Sequence, residues 1–308
     1  MKYKLPFLSL VALALLASIA TAQERPTAST ASTSVPLPNA QQLLTEAQVA
    51  LGRHGSVEAK VRQQTHLFGQ ELFGSGRYLQ QGTGPEIMLR FELRLHVGEQ
   101  PATMLQIADG RYLWSERQFG TTRSVQQIEV AQVREQLGQQ HPALPGRWPL
   151  LGGLGEMLAG IAANFEFAPV TTGELGDVPI YTLVGKVRVD ELNRQAAQTA
   201  ADPENFRPLD PHNLPEQVPH EVLLVLGRDD LFPYLIDYRR ASRAGEGSMY
   251  SLLRMQLFEV RINGPVDLRQ FVYKPGSVSV TNMTEAVLEQ LRARTGSPVT
   301  AARDAAPN

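Results

Sequence analysis

The sequence predicts an α+β fold, with one antiparallel sheet and helices segregated from it in the chain. Three observations predict it. From Ile87 to Val97, the apolar residues Ile87, Leu89, Phe91, Leu93, Leu95 and Val97 alternate with Met88, Arg90, Glu92, Arg94 and His96. Six apolar positions in period two describe a long strand with one buried face. The elements run helix, about five strands, two helices, about six strands, helix, whereas a doubly wound sheet would alternate strand and helix. Turn residues punctuate the strands: Gly98-Glu99-Gln100-Pro101, then Asp109-Gly110, a type I′ hairpin dipeptide.

In chain order, Lys2 and Lys4 precede an apolar run from Leu5 to Ala20, and Ala20-Thr21-Ala22 has the small-x-small form read by signal peptidase. The run is shorter than the roughly 20 residues of a spanning helix. Residues 1–22 therefore read as a signal peptide, with no membrane span after cleavage. Loss of Lys2 and Lys4 takes the formal charge from −2 to −4. Residues 23–38, rich in Ser, Thr, Ala and Pro, read as a flexible leader, and 296–308 as a disordered tail. One domain is expected over 39–295.

Asn39 is a candidate N-cap with Gln42 at the capping-box position, and Gly52 can end the helix. Residues 57–68 and 71–80 read as a hairpin, followed by the alternating strand, then 102–108 and 111–116. Residues 128–138 and 150–163 read as helices. Strands resume at 164–170, 180–189, 222–228, 234–241, 253–262 and 270–273. A Pro-rich loop insertion occupies 196–220, and a closing helix runs from about Met283 to Arg294, with Asn282 as its cap.

Composition narrows the function. Twenty-nine basic against 31 acidic residues leave no basic surplus for nucleic acid. The absence of cysteine removes disulfides, thiolate metal sites, Cys nucleophiles and the acylated cysteine of a lipoprotein. No metal or cofactor site is expected. His212 and His220 share a Pro-rich loop with Asp210 and Glu216, and a solvated loop explains them. Ser75 lies between Gly74 and Gly76 with no base and acid assigned to it, and those glycines read as a bulge or close sheet packing. Gly153-Leu154-Gly155 lacks the third glycine of a dinucleotide loop. Asp229-Asp230 reads as a turn, and Asn282-Met283-Thr284 matches a glycosylation sequon.

The informative residues are apolar. Leu150 to Ala163 is apolar around most of its circumference yet carries Gly152, Gly153, Gly155 and Gly160. It is either a fully buried core helix or a mobile lid over an apolar cavity. Leu89, Phe91, Leu93 and Leu95 would line the wall of such a cavity, and Leu154, Met157, Leu158 and Ile161 its lid.

The ordered set of a leading helix, Ser56 to Gln64, a Gly-containing strand, the long alternating strand and Asp109-Gly110-Arg111-Tyr112-Leu113-Trp114 resembles the periplasmic lipoprotein-carrier superfamily (LolA, LolB and LppX-like proteins). Phe271 to Gly276 is similar to its closing strand. The resemblance implies a strongly curved sheet, an incomplete β-barrel, covered by helices. It implies an apolar cavity that binds a lipid or acylated protein without catalysis, with Trp114 at the rim or in the wall. The Arg-Pro pair that precedes the long strand in that family is replaced here by Gly84-Pro85. The alternative expectation is a cell-envelope scaffold or regulatory protein with a filled core and an envelope protein as partner.

Overall fold

Helix α1 (Ala40–Arg53) opens the folded chain in the computed structural model, which describes residues 37–67, 70–84, 87–98, 100–137, 153–199, 207–211, 213–242 and 248–295. The signal, most of the leader and the tail expected from the sequence lie outside the described residues. Asn39 caps α1, its Oδ1 accepting from the Gln41 amide at 2.8 Å. Gln42 does not complete a capping box; it donates to Glu46 one turn on. The helix runs past Gly52 and ends at His54, whose backbone is extended. Leu43, Leu44, Ala47 and Leu51 are buried on one side.

Six antiparallel strands follow as a meander: β1 (Ser56–Leu67), β2 (Gln70–Gln81), β3 (Met88–Val97), β4 (Gln100–Ala108), β5 (Tyr112–Phe119) and β6 (Thr122–Glu129). Gly74 and Gly76 have the packing role read from the sequence: a Cβ on Gly76 would overlap the Glu92 carbonyl of β3. The β4–β5 turn is not type I′. Only Gly110 of the pair has positive φ (93°), and Asp109 Oδ1 accepts from the amides of Arg111 and Tyr112 at 2.9 and 2.7 Å. Strand β6 is a correction, since Thr-Arg-Ser-Val-Gln-Gln carries too little apolar pattern to announce a strand.

Helix α2 (Val130–Leu137) and helix α3 (Gly153–Asn164) separate this meander from β7 (Phe165–Phe167), β8 (Thr171–Leu175), β9 (Val178–Val187), β10 (Glu221–Gly227), β11 (Pro233–Ala241) and β12 (Met249–Ile262). The expected loop insertion begins instead as helix α4 (Val189–Thr199), with Asp190 and Glu191 favourably placed in its first turn. Residues 214–218 of the insertion are tied down by buried Arg240, which donates to the carbonyls of Leu214, Pro215 and Val218 at 2.6–2.8 Å.

The thirteen described strands, the last of them β13 (Val280–Asn282), form one open, curved sheet in the order β13-β6-β5-β4-β3-β2-β1-β12-β11-β10-β9-β7, with β8 beside β9. The two halves join where β1 pairs with β12. There, Glu259 (φ 49°) is an extra residue on β12. This bulge shifts the alternation by one, so that Leu257 and then Val260 and Ile262 all join the same core as Val57, Ala59 and Val61.

After β12 the chain crosses the other face. The expected strand at 270–273 is a correction: Leu268–Phe271 is a 3₁₀ turn inside an irregular strap. The strap leads to β13 (Val280–Asn282), which pairs with β6 in parallel, and to α5 (Thr284–Thr295). Asn282 caps α5, accepting from the Thr284 amide at 2.9 Å, which gives the sequon asparagine a structural role. No described helix is long and apolar enough to cross a membrane.

Candidate functional site

The alternation in β3 assigns its residues to two faces. Leu89, Phe91 and Leu93 are buried on the inner face in one cluster with Tyr78, Ala108, Leu113 and the α1 side chains. Helix α3 lies in the same cluster through Leu154, Leu158, Ile161 and Ala162. The expected wall and lid residues are thus brought together. Leu95 and Met157 pack against the cluster only partly buried.

Gly153 opens α3 with φ 63°, and a Cβ there would stand 2.6 Å from the Tyr78 hydroxyl. That hydroxyl accepts from the Leu154 amide at 3.3 Å and donates to Gln80 Oε1 at 2.8 Å. One buried Tyr therefore satisfies one of the free amides at the N-terminus of α3, and its burial pushes its own pKa upward. At the other end, Arg188 Nη2 donates to the carbonyls of Ala162 and Phe165 at 3.1 and 3.4 Å. Leu154, Leu158 and Ile161 are 0–1% exposed, so α3 leaves no gap over the part of the inner face it packs on.

Among the described residues, the inner face is not covered to its end. The register places Leu95 beside Ala102 and Ala102 beside Phe119. Ala102 and Leu95 are half-buried and Phe119 is 51% exposed. The apolar wall therefore continues from Phe91 and Leu93 through Leu95 and Met104 to a solvent-exposed margin.

Trp114 is a correction to the expected lining. Period two puts Leu113 on the inner face and Trp114 on the outer one. There it belongs to a separate cluster of Leu79, Ile107 and Phe271. Tyr273 of the strap stacks on it, with centroids 5.0 Å apart and planes at 28°. The Tyr273 hydroxyl donates to Glu116 at 2.6 Å. Arg123 and Tyr273 together hold the Glu116 carboxyl below its usual range, and burial beside Glu116 pushes Tyr273 up to about 12. Arg90 and Arg77 clasp Gln270 of the strap at 2.7 and 3.1 Å.

Ionisable groups elsewhere serve the fold. Asp230 Oδ1 accepts from the Phe232 amide and its Oδ2 from Tyr234, as a turn residue would. His220 Nδ1 accepts from the Ala241 amide at 3.0 Å, and His212 lies outside the described residues. Among the described residues no three of His, Cys, Asp or Glu gather as metal ligands would. Two surface depressions include none of Phe91, Leu93, Leu95, Met104 or Phe119. One, of about 330 Å³, is lined by Glu58, Lys60, Glu259, Val260 and Arg261. The other, of about 450 Å³, is lined by His66, Glu216, Arg240, Ser242, Ser248 and Tyr250.

Sequence reasoning missed the polar members of the inner face: Gln80, Gln106 and Ser115. Their signal was available, since Gln106 interrupts the alternating apolar set Ala102, Met104 and Ala108.

No family model matches the sequence, and no curated protein does. Similar solved structures include the Pseudomonas aeruginosa MucA/MucB complex, at 13% identity and a TM-score of 0.40. The match covers 76% of this chain and 60% of that one, so this chain spans less than two thirds of it. LprF from Mycobacterium bovis is 11% identical over 76% of this chain and 97% of its own, with a TM-score of 0.34. An outer membrane lipoprotein-sorting protein domain from Vibrio parahaemolyticus is 6% identical over 75% and 95%, with a TM-score of 0.30. These are likenesses of strand arrangement alone.

Proposed function

We propose that this chain is an exported, non-enzymatic binding protein of the periplasm that takes up a lipid, or the acyl chains of an acylated protein, on the inner face of its sheet. The observation that carries the reading is the continuity of the apolar wall. Leu89, Phe91 and Leu93 lie under α3, and the same face runs through Leu95 and Met104 to exposed Phe119. An acyl chain laid on that margin gains about 0.8 kcal/mol for each methylene removed from water. Uptake beneath the helix requires α3 to shift. Gly155 and Gly160 within it each cost a helix interior about 1 kcal/mol relative to Ala, which suits a cover that moves. The signal-like residues 1–22 support export.

The test is native mass spectrometry of the mature protein, expressed with its own N-terminal segment and purified without detergent, then solvent extraction. Co-purifying lipid or acylated protein is expected. A clean apo mass that persists after incubation with envelope lipids overturns the reading. A second reading, an envelope scaffold with a filled core, is favoured by the 0–1% exposure of Leu154, Leu158 and Ile161. It predicts that apo mass, together with a protein partner captured by cross-linking in the intact envelope.

A further inference from the structure

One row of the inner face breaks its apolar pattern. Register sets Gln106 of β4 between Phe91 of β3 and Ser115 of β5, with Gln126 of β6 next in line. Gln106 is only 6% exposed, and its Oε1 has no hydrogen-bond donor. Ser115 Oγ, directly across the strand pair, is also buried and without a partner. Side chains so placed are about 5 Å apart at Cβ. Two neighbouring orphan polar atoms inside a wall are costly, and a fold keeps them most readily where something else completes them.

The next row toward the exposed margin holds Leu93, Met104 and Arg117. Arg117 is on the same face as Ser115, exposed, and makes no ion pair with any described residue. Most arginines of the outer face are paired, as Arg77 and Arg261 are with Glu58 and Arg123 is with Glu116.

Building on the acyl-binding reading above, we propose that Gln106, Ser115 and Arg117 form a head-group site for an N-acylated anionic amphiphile. Arg117 takes the carboxylate or phosphate at the solvent side. Gln106 Oε1 accepts from the amide N–H at the junction of head and chain, and the Ser115 hydroxyl donates to the amide carbonyl. The chain runs across β3 over Phe91 and Leu93. The order from solvent inward, a cation, then a polar pair, then apolar wall, matches the order of groups along such a molecule.

The experiment titrates the mature protein, by calorimetry below micellar concentrations, with four probes: N-palmitoylglycine, palmitic acid, N-palmitoylethanolamine and methyl palmitate. N-palmitoylglycine is expected to bind about tenfold more tightly than palmitic acid or N-palmitoylethanolamine, and methyl palmitate weakest. Gln106→Leu is expected to remove the preference for the two amides while leaving palmitic acid unchanged. Arg117→Gln, an exposed change that leaves the core intact, is expected to remove the preference for the two anions, and Arg117→Lys to retain most of it. The melting temperature of apo Gln106→Leu is expected at or above that of the parent, because an orphan acceptor is replaced by an apolar group of similar size. Binding of all four probes with no preference, or preferences unmoved by both Gln106→Leu and Arg117→Gln, overturns the head-group site and leaves the acyl-binding reading standing. Failure of all four probes to bind overturns the acyl-binding reading itself, and the site with it.

Discussion

The two faces of the sheet solve the same packing problem with different means. The inner face is covered by α1 and α3 in one large cluster, with Leu44, Ala47, Leu154 and Leu158 at 0% exposure. The outer face carries a small cluster under a strap, with Leu79, Ile107 and Phe271 at its centre. Elsewhere it carries ion pairs, including that of Lys60 with Glu259. Burial on the inner face is non-directional, so its members can exchange one apolar neighbour for another. The strap is held by direction-dependent contacts: the Trp114–Tyr273 stack, the Tyr273–Glu116 hydrogen bond and the two arginine clasps on Gln270. A face that is to accept a ligand benefits from the first kind of packing, and a face that is to stay shut from the second.

The largest effects should fall on the inner face. Leu158→Ala or Phe91→Ala is expected to cost about 2–5 kcal/mol in urea unfolding, and Leu158→Asp to prevent folding or abolish lipid retention. A Leu158→Ala variant as stable as the parent would mean that α3 is not part of the cooperative core. Gly76→Ala comes next. Its Cβ would overlap the Glu92 carbonyl, so β2 and β3 must separate, at a cost of about 1–3 kcal/mol. Retention of the parent melting temperature would place the strands further apart than described.

On the outer face, Tyr273→Phe removes one hydrogen bond and is expected to cost about 1 kcal/mol. A Trp148→Phe background, which leaves Trp114 as the single Trp reporter, would follow the strap directly. Because the Glu116 carboxyl is depressed in the fold, its stabilising contribution is present above the ordinary carboxylate pKa, near 4.3. It is lost as pH falls through the lower folded value. Trp114 emission is therefore expected to change in that acid window in the parent and not in Glu116→Gln. The smallest effect belongs to Lys60→Gln, whose pair with Glu259 is 57% and 60% exposed and should be worth no more than a few tenths of a kcal/mol. A loss as large as that of Tyr273→Phe would contradict the ranking.

The inner face was legible because it obeys one rule over many residues. Leu89, Phe91 and Leu93 stand where strict period two places them, and Asn39 and Asn282 cap the helices they announce. The outer face was harder to read. Trp114 was expected at the rim or in the wall because the resemblance of its hairpin motif implied it, although its parity against Leu113 assigned it outward. Strands β6 and β13 carry little apolar pattern of their own and exist through pairing with β5 and with each other. The strap at 263–279 has no regular period, so the arginines that hold it, Arg77 and Arg90, are visible only once the sheet is assembled. The polar row at Gln106 reads from sequence as an ordinary interruption. Register alone shows that it meets Ser115.

The pairing of β1 with β12 joins residues near position 60 to residues near position 258. Almost the whole domain must exist before the central seam can close. Until then β1 and its neighbours present an open edge, and the loop to be closed is among the longest the chain allows, which favours slow folding and early association with other chains. For the exported chain proposed above, delayed closure is also what translocation across a membrane demands, since a chain whose middle seam awaits its last quarter stays threadable until nearly all of it has been made.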